Sequence, residues 1–299
     1  MPLELQGFVD LPTHATGGFD HGDVDLVTGR VFIAHTANGT VEVVDGVGNT
    51  YLTTIAGCPE ASGVLCVQGD SLTFAAARGA GKVLVIESAT ARCVRELAVG
   101  PKPNGLAWDG ERRLLLVADV ADHQARVIDP TNGQTVATAE LSGRPRWCVY
   151  DRQGDRFLIN IREPASVEVL SAATMTRLDT FPVDAAGPHG LDLDEYNGRA
   201  LVACDGSIVA AIDLQSGQTV GTTPIAGAPD AIWHNRSRQR LYVAIGHPGV
   251  VDVVDTGTSE VVEEIATEEG AHTTAFDSVR QKLYVFLPRS CRVAVYAER

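Results

Sequence analysis

The chain has 299 residues, of which 44% are hydrophobic, and its net charge at pH 7 is −14. This charge argues against binding to nucleic acid, whose phosphates require a basic surface, and it provides no polybasic segment for a membrane surface. No apolar run approaches the roughly 18 residues of a membrane span, and the first residues lack the features of a secretory signal. Six scattered cysteines, without the paired spacing of a zinc site, favour reduced thiols and a cytoplasmic location.

The first predicted element is a strand over residues 3–9, and seven similar repeats follow it. The repeats are 41 to 43 residues apart and start near residues 20, 62, 104, 146, 189, 230 and 272. Each contains a β-branched run, with an apolar run before it and turn-forming residues after it, which predicts strands joined by tight turns. Repeats of about 40 residues built from short strands are typical of β-propellers.

The seventh repeat ends soon after its third strand, which is predicted at residues 293–297. The strand at residues 3–9 is therefore expected to supply the fourth strand, because this would pair two sheet edges that are otherwise exposed. The prediction is a single all-β domain over residues 1–299. It is a seven-bladed β-propeller of four-stranded antiparallel blades, closed by the N-terminal strand in the last blade.

Three segments carry a resemblance to known propellers: Pro103–Asp109 (PNGLAWD), Pro188–Asp194 (PHGLDLD) and Arg240–Ala244 (RLYVA). They resemble the YVTN-type repeat of seven-bladed propellers, a family that includes binding proteins and enzymes. A weaker similarity extends to lactonase-like propellers, including the gluconolactonase family. That similarity implies lactone hydrolysis and a divalent cation, with Asn104 and Asp230 in motifs like those of two ligand positions. Neither Asp20 nor His21 matches the family's Glu ligand in type.

The first residue of every repeat is polar, and the symmetry of a propeller would bring all seven side chains to one mouth of the central channel. These residues are Asp20, Ser62, Asn104, Arg146, His189, Asp230 and His272. The following residue is small in five repeats, as a crowded inner strand requires. Two repeats place a bulky side chain there instead, and these exceptions, His21 and Trp147, are predicted to line a site.

Blades five, six, seven and one are consecutive around the ring, and their mouth residues form an arc of imidazoles and carboxylates. The predicted ligands of a divalent metal ion are His189, Asp230 and His272, completed by His21 or Asp20. Such side chains suit Zn, Mn, Ca, Fe or Cu to different degrees, and the sequence leaves the choice open. They are equally explained as polar groups that face channel water or hydrogen-bond to neighbouring blades.

Across the channel, Ser62, Asn104 and Trp147 are predicted to bind a substrate. Arg146 is predicted to take part in catalysis, since a guanidinium grips a carboxylate or phosphate with two hydrogen bonds; an internal ion pair explains it equally well. The loops between second and third strands are expected to add an outer shell: His35, Arg78, Asp119, Asp205 and His247. Within that shell, His35 is the predicted proton shuttle.

These predictions favour a metal-dependent enzyme that acts on a small anionic or oxygen-rich molecule at the channel mouth. Hydrolysis of a lactone or ester is the first reaction to consider, and lyase or isomerase chemistry uses similar groups. The alternative is a propeller without catalytic activity that binds a peptide, a protein or a small ligand on the same face. Elemental analysis separates the two, because only the first requires a bound ion.

Overall fold

The β-branched runs form strands in the computed structural model, which describes residues 2–15 and 17–298. The first strand is β1 (Leu3–Asp10). Blade one contains β2 (Gly22–Asp25), β3 (Arg30–His35), β4 (Thr40–Asp45) and β5 (Thr50–Ile55). Blade two contains β6 (Ala61–Val67), β7 (Leu72–Ala77), β8 (Lys82–Glu87) and β9 (Arg92–Ala98), with a 3₁₀ turn (Arg78–Ala80) after β7. Blade three contains β10 (Pro103–Asp109), β11 (Leu114–Asp119), β12 (Gln124–Asp129) and β13 (Gln134–Glu140).

The remaining blades follow in chain order. Blade four contains β14 (Pro145–Asp151), β15 (Arg156–Ile161), β16 (Ser166–Ser171) and β17 (Arg177–Pro182). Blade five contains β18 (Pro188–Asp194), β19 (Arg199–Cys204), β20 (Ile208–Asp213) and β21 (Thr219–Pro224). Blade six contains β22 (Pro229–Asn235), β23 (Arg240–Ile245), β24 (Val250–Asp255) and β25 (Glu260–Ala266). Blade seven contains β26 (Thr274–Asp277), β27 (Lys282–Leu287) and β28 (Arg292–Glu298).

Each blade is a four-stranded antiparallel sheet, and the seven blades form a ring. The fourth strand of blade seven is β1, which pairs with β28 so that Leu3 lies opposite Glu298 and Asp10 opposite Arg292. The predicted seven-bladed propeller and its closure by the N-terminal strand are both confirmed.

The hydrophobic core lies between neighbouring blades. Phe32 of blade one and Ala75 of blade two belong to one buried cluster, for example, and Leu116 of blade three and Phe157 of blade four belong to another. All four side chains have no exposed surface, because the faces of adjacent blades pack against each other. Within residues 2–15 and 17–298, no helix is long and apolar enough to span a bilayer.

A bulge shapes the start of the innermost strand in five blades. In each case the register between the first and second strands shifts at the polar residue that opens the repeat. These residues are Ser62, Asn104, Arg146, His189 and Asp230. A bulge removes a residue from regular pairing and re-aims its side chain, so the fold itself turns these positions out of the sheet.

In four of these five blades the residue that follows the polar position is small, because the blades approach closely at this point. A Cβ atom built on Gly63 would lie 2.1 Å from the carbonyl oxygen of Asn104, and one on Gly105 would lie 2.4 Å from that of Arg146. Gly190 meets the carbonyl of Asp230 at the same 2.4 Å. No side chain fits at such distances, so glycine is required at these three positions.

Candidate functional site at the channel mouth

Three imidazoles converge on the carboxylate of Asp230. His189 Nε2 lies 3.0 Å from Asp230 Oδ1, and His21 Nε2 lies 3.8 Å from the same oxygen. His272 Nε2 lies 3.6 Å from Oδ2. The structure therefore brings together four of the predicted metal ligands from blades one, five, six and seven, and the fifth, Asp20, joins them through His21.

The Nδ1 atom of each imidazole is fixed by an oxygen acceptor. His21 Nδ1 lies 2.6 Å from Asp20 Oδ1, and His189 Nδ1 lies 3.1 Å from Asp205 Oδ1. His272 Nδ1 donates to the carbonyl of Gly270 at 2.6 Å. These bonds hold the three rings so that their Nε2 atoms face Asp230. We call the set the mouth cluster: Asp20, His21, His189, Asp205, Asp230 and His272.

The electrostatics of the mouth cluster follow from this arrangement. Burial opposes ionisation of Asp230, but the neighbouring imidazoles, His189 above all, hold its pKa well below the ordinary value. Burial likewise disfavours charge on His189, yet Asp230 and Asp205 raise its pKa to about 9. His189 is therefore an imidazolium at neutral pH, with a carboxylate facing each ring nitrogen.

Arg146 lies beside the mouth cluster with an unused donor. Its Nε atom is buried and has no hydrogen-bond partner among the described residues. Burial and the nearby Arg144 lower the pKa of the guanidinium, whereas Asp230 raises it. An unpaired buried N–H group is costly, so a water molecule or an anionic ligand is the natural partner for this atom.

A second cation, Arg78, links the two sides of the mouth. It extends from the 3₁₀ turn of blade two and donates from Nη1 to Asn104 Oδ1 at 3.1 Å. Its Nη2 atom lies 3.7 Å from Asp20 Oδ2 and its Nε atom lies 3.7 Å from Glu60 Oε2. Asn104 is thus buried, and its Oδ1 atom accepts from Arg78.

The two bulky exceptions in the repeat contact each other. The rings of His21 and Trp147 stack with centroids 4.2 Å apart and planes 3° from parallel. Both side chains line a cavity in the channel below the mouth. The pair therefore lies where the mouth cluster meets this cavity.

Two predicted site residues are placed elsewhere. Ser62 is fully buried, and its hydroxyl lies 3.2 Å from the carbonyl of Pro103 and 3.4 Å from that of Ala76, so it bonds to backbone and not to a substrate. His35 is also fully buried, with Nδ1 2.9 Å from Glu42 and Nε2 2.6 Å from His14. It has no free nitrogen with which to shuttle protons at the mouth. We call His14, His35 and Glu42 the buried relay.

The outer shell is only partly as expected. Asp205 and Arg78 do contact mouth residues, as described above. Asp119 instead accepts from the backbone N–H of Lys102 at 2.8 Å, and His247 is exposed beside Glu269. Spacing alone does not separate these cases, because it fixes the loop in which a residue lies but not its rotamer or its nearest partner.

The fit of a metal ion to the mouth cluster is mixed. Within the described ranges, 2–15 and 17–298, no group of three or more His, Cys, Asp or Glu side chains is arranged to hold a metal ion. The two carboxylates that face His189 favour its protonated form, and a metal ion would have to compete with that proton. On the other hand, ring nitrogens fixed by oxygen acceptors are a general feature of metal-binding histidines. The metal site stays a prediction.

Comparisons with known proteins support the fold. A chain of hydrazine synthase from Kuenenia stuttgartiensis is similar to this protein with a TM-score of 0.86 and 14% sequence identity, over 99% of each chain. A chain of a mitotic checkpoint complex is similar with a TM-score of 0.84 and 12% identity, over 98% of this chain and 91% of that one. No family model and no curated protein match the sequence. At these identities the likeness shows the propeller fold alone.

Proposed function

We propose that the channel mouth is an active site that acts on a small anionic, oxygen-rich molecule, with ester or lactone hydrolysis as the first candidate reaction. The observation that carries the proposal is the convergence of three imidazoles on Asp230 beside Arg146, whose Nε atom has no hydrogen-bond partner among residues 2–15 and 17–298. Buried groups with unused hydrogen-bonding capacity and perturbed pKa values are typical of functional sites.

The proposed reaction uses His272 as the base and Arg146 as the anion-binding group. His272 donates its Nδ1 proton to the carbonyl of Gly270, so in the neutral ring Nε2 carries a lone pair. Its side chain is the most exposed imidazole of the mouth cluster, at 38%, and Nε2 is the proposed base that takes a proton from an attacking water. The water oxygen bonds to the carbonyl carbon, the C–O bond breaks, and the proton passes to the leaving oxygen. Arg146 holds the substrate's anionic group.

A hydrolysis assay tests this proposal. Lactones and esters with and without a carboxylate are incubated with the wild type, Arg146→Gln and the surface control Arg113→Gln. The proposal expects the KM of carboxylate-bearing substrates to rise about tenfold or more in Arg146→Gln, since a charge-assisted hydrogen bond is lost, while neutral substrates and the control change little. If no substrate is turned over, with or without added divalent ions, the catalytic proposal fails.

A divalent metal ion at the mouth is the second candidate, favoured by the oxygen acceptors that fix the three Nδ1 atoms. His21, His272 and Asp230 would hold the ion, which would supply Lewis acidity or lower the pKa of a bound water. Mass-spectrometric elemental analysis of protein purified without chelator tests it, before and after reloading. The hypothesis expects a stoichiometric ion in the wild type and in His247→Ala, an exposed control, and its loss in His272→Ala. Sub-stoichiometric metal in the wild type contradicts it.

The non-catalytic alternative uses the same face and the same free Arg146 donor. It predicts that small carboxylates bind without being hydrolysed. Calorimetric titration would then detect binding where the hydrolysis assay shows no turnover. A protein partner on this face is a further form of this alternative, and one of the similar folds does belong to a protein complex. Turnover of any small substrate that is lost in Arg146→Gln decides for the enzyme.

A further inference from the structure

The channel below the mouth contains an aromatic cavity of about 220 Å³. The chain has three tryptophans, Trp108, Trp147 and Trp233, and all three line this cavity. Trp108 and Trp233 lie on inner strands, and part of each side chain faces the channel. Since a protein cavity of ~150 Å³ accommodates benzene, this channel cavity has room for a small organic molecule.

Two carboxylates, Asp23 and Asp192, line the same cavity. Both oxygens of Asp23 accept backbone N–H bonds at 2.7 Å, one from Val24 and one from Cys66 of the next blade. Asp192 repeats the pattern with Leu193 and, in the next blade, His234. These bonds fix both carboxylates across blade boundaries.

Among the described residues, neither carboxylate is in direct contact with a side-chain cation, although His234 and Arg236 act electrostatically on Asp192 from a longer distance. No Lys, Arg or His nitrogen within residues 2–15 and 17–298 forms an ion pair within 4.0 Å of Asp23 or Asp192. A buried carboxylate without a cation is unfavourable, so a positive ligand between the two would be bound strongly.

We infer that the channel cavity binds a small organic ammonium cation, with the indole rings of the three tryptophans and the carboxylates of Asp23 and Asp192 as its recognition groups. Aromatic faces attract cations through the ring quadrupole, and the attraction strengthens when the site excludes water. The net charge of −14 also favours the approach of a cation.

The ligand has a route to this cavity that avoids the mouth cluster. A second cavity of about 520 Å³ is lined by Asp23, Asp192 and Trp233 and by residues of the turns that follow the inner strands, including Gln68 and Ser237. Because the inner strands begin at the mouth, these turns lie at the opposite end of the channel. The cation site is therefore approached from the end away from Asp230, although His21 of the mouth cluster also lines the cavity.

Intrinsic fluorescence tests the inference directly, because every tryptophan of the chain lines the cavity. The probes are choline and its neutral isostere 3,3-dimethyl-1-butanol, titrated into the full-length protein. Choline is expected to change the emission saturably and to bind about tenfold more tightly than the alcohol, as a desolvated cation–π contact requires. Equal affinity for the two probes, or no saturable change with choline at millimolar concentrations, overturns the inference.

The carboxylates are tested with Asp192→Asn, which keeps the shape of the side chain. This variant is expected to weaken choline binding about tenfold through loss of a buried charge pair, and to leave the affinity for the alcohol unchanged. Glu111→Gln, which removes one negative charge from an exposed ion pair with Arg152, is the matched control and should bind choline like the wild type. Equal choline affinity in a folded Asp192→Asn and in the control contradicts the assignment.

Discussion

Imidazole and carboxylate groups meet twice in this molecule, and the mouth cluster and the buried relay differ in how fully their polar atoms are paired. In the buried relay, both nitrogens of His35 have partners, and Glu42 also accepts from the hydroxyls of Thr40 and Thr54. In the mouth cluster, the Nε2 atoms of His21 and His272 lie 3.6 to 3.8 Å from Asp230, which is too far for a hydrogen bond. The same residue types are thus fully paired in the buried relay, and in the mouth cluster they leave ring nitrogens available for the chemistry proposed above.

The largest expected effect is on the buried relay. His35→Ala leaves Glu42 as a buried carboxylate that has lost its imidazole, so we expect the free energy of unfolding to fall by about 4 kcal/mol. Urea denaturation at pH 7 measures the change, with the exposed His247→Ala as a control expected within about 0.5 kcal/mol of the wild type. A loss below about 1 kcal/mol would mean that the relay contributes little to stability, and the contrast with the mouth cluster would disappear.

The pH dependence of stability tests the charge of His189 in the mouth cluster. The pKa of His189 is raised from 6.5 to about 9 in the folded state. Its stabilising contribution is therefore complete below pH 6.5 and is lost as the pH rises through 9. Relative to His189→Gln, the wild type should lose about 3 kcal/mol of unfolding free energy between pH 6 and 10. Denaturant titrations at a series of pH values measure this, and a difference that stays constant with pH would exclude a charged His189.

Asp230→Asn tests the centre of the mouth cluster. The substitution keeps the size of the side chain but removes the charge on which three imidazoles converge, so kcat/KM for any substrate found should fall about 100-fold. Steady-state kinetics measures it, with Glu111→Gln as a control for the loss of one negative charge. Wild-type kinetics in a folded Asp230→Asn protein would place the chemistry elsewhere.

Ser62→Ala is expected to have the smallest effect. The hydroxyl of Ser62 bonds only to backbone carbonyls, so its loss should lower the free energy of unfolding by about 1 kcal/mol and leave kcat/KM unchanged. Thermal unfolding and the same kinetic assay measure the two quantities. A fall in kcat/KM beyond the loss of folded protein would restore Ser62 to the substrate site from which the structure removes it.

The fold and the ring of mouth positions could be predicted because all seven blades share the same repeat pattern. One period fixes the strands, and the same register places Asp230 and His272 near the starts of neighbouring inner strands. The glycines that follow these positions, such as Gly105, indicate from the sequence alone that the blades approach closely. The edge-pairing argument was sufficient to place β1 in the last blade.

The roles of individual side chains could not be predicted in the same way. Ser62 and His189 occupy equivalent positions, but a short hydroxyl reaches only the nearest carbonyls, whereas an imidazole reaches Asp230 in the next blade. His35 pairs with Glu42 on the adjacent strand and with His14 in the segment between β1 and β2. The contact with His14 lies outside the repeat, so the period does not predict it. Trp233 lies on an inner strand like a core residue, and only the packing of seven strands around an axis shows that it lines a cavity.

The pairing of β1 with β28 has a consequence for biosynthesis. Leu3 and Glu298 are neighbours in the sheet although nearly the whole described chain separates them. The ring can therefore close only after residue 298 has been translated and has emerged from the ribosome. Until then blades one to six expose unpaired flanks, and such long-range pairing is slow to form and prone to aggregate. A nascent chain of this protein should depend more on chaperones than one whose terminal strands pair locally.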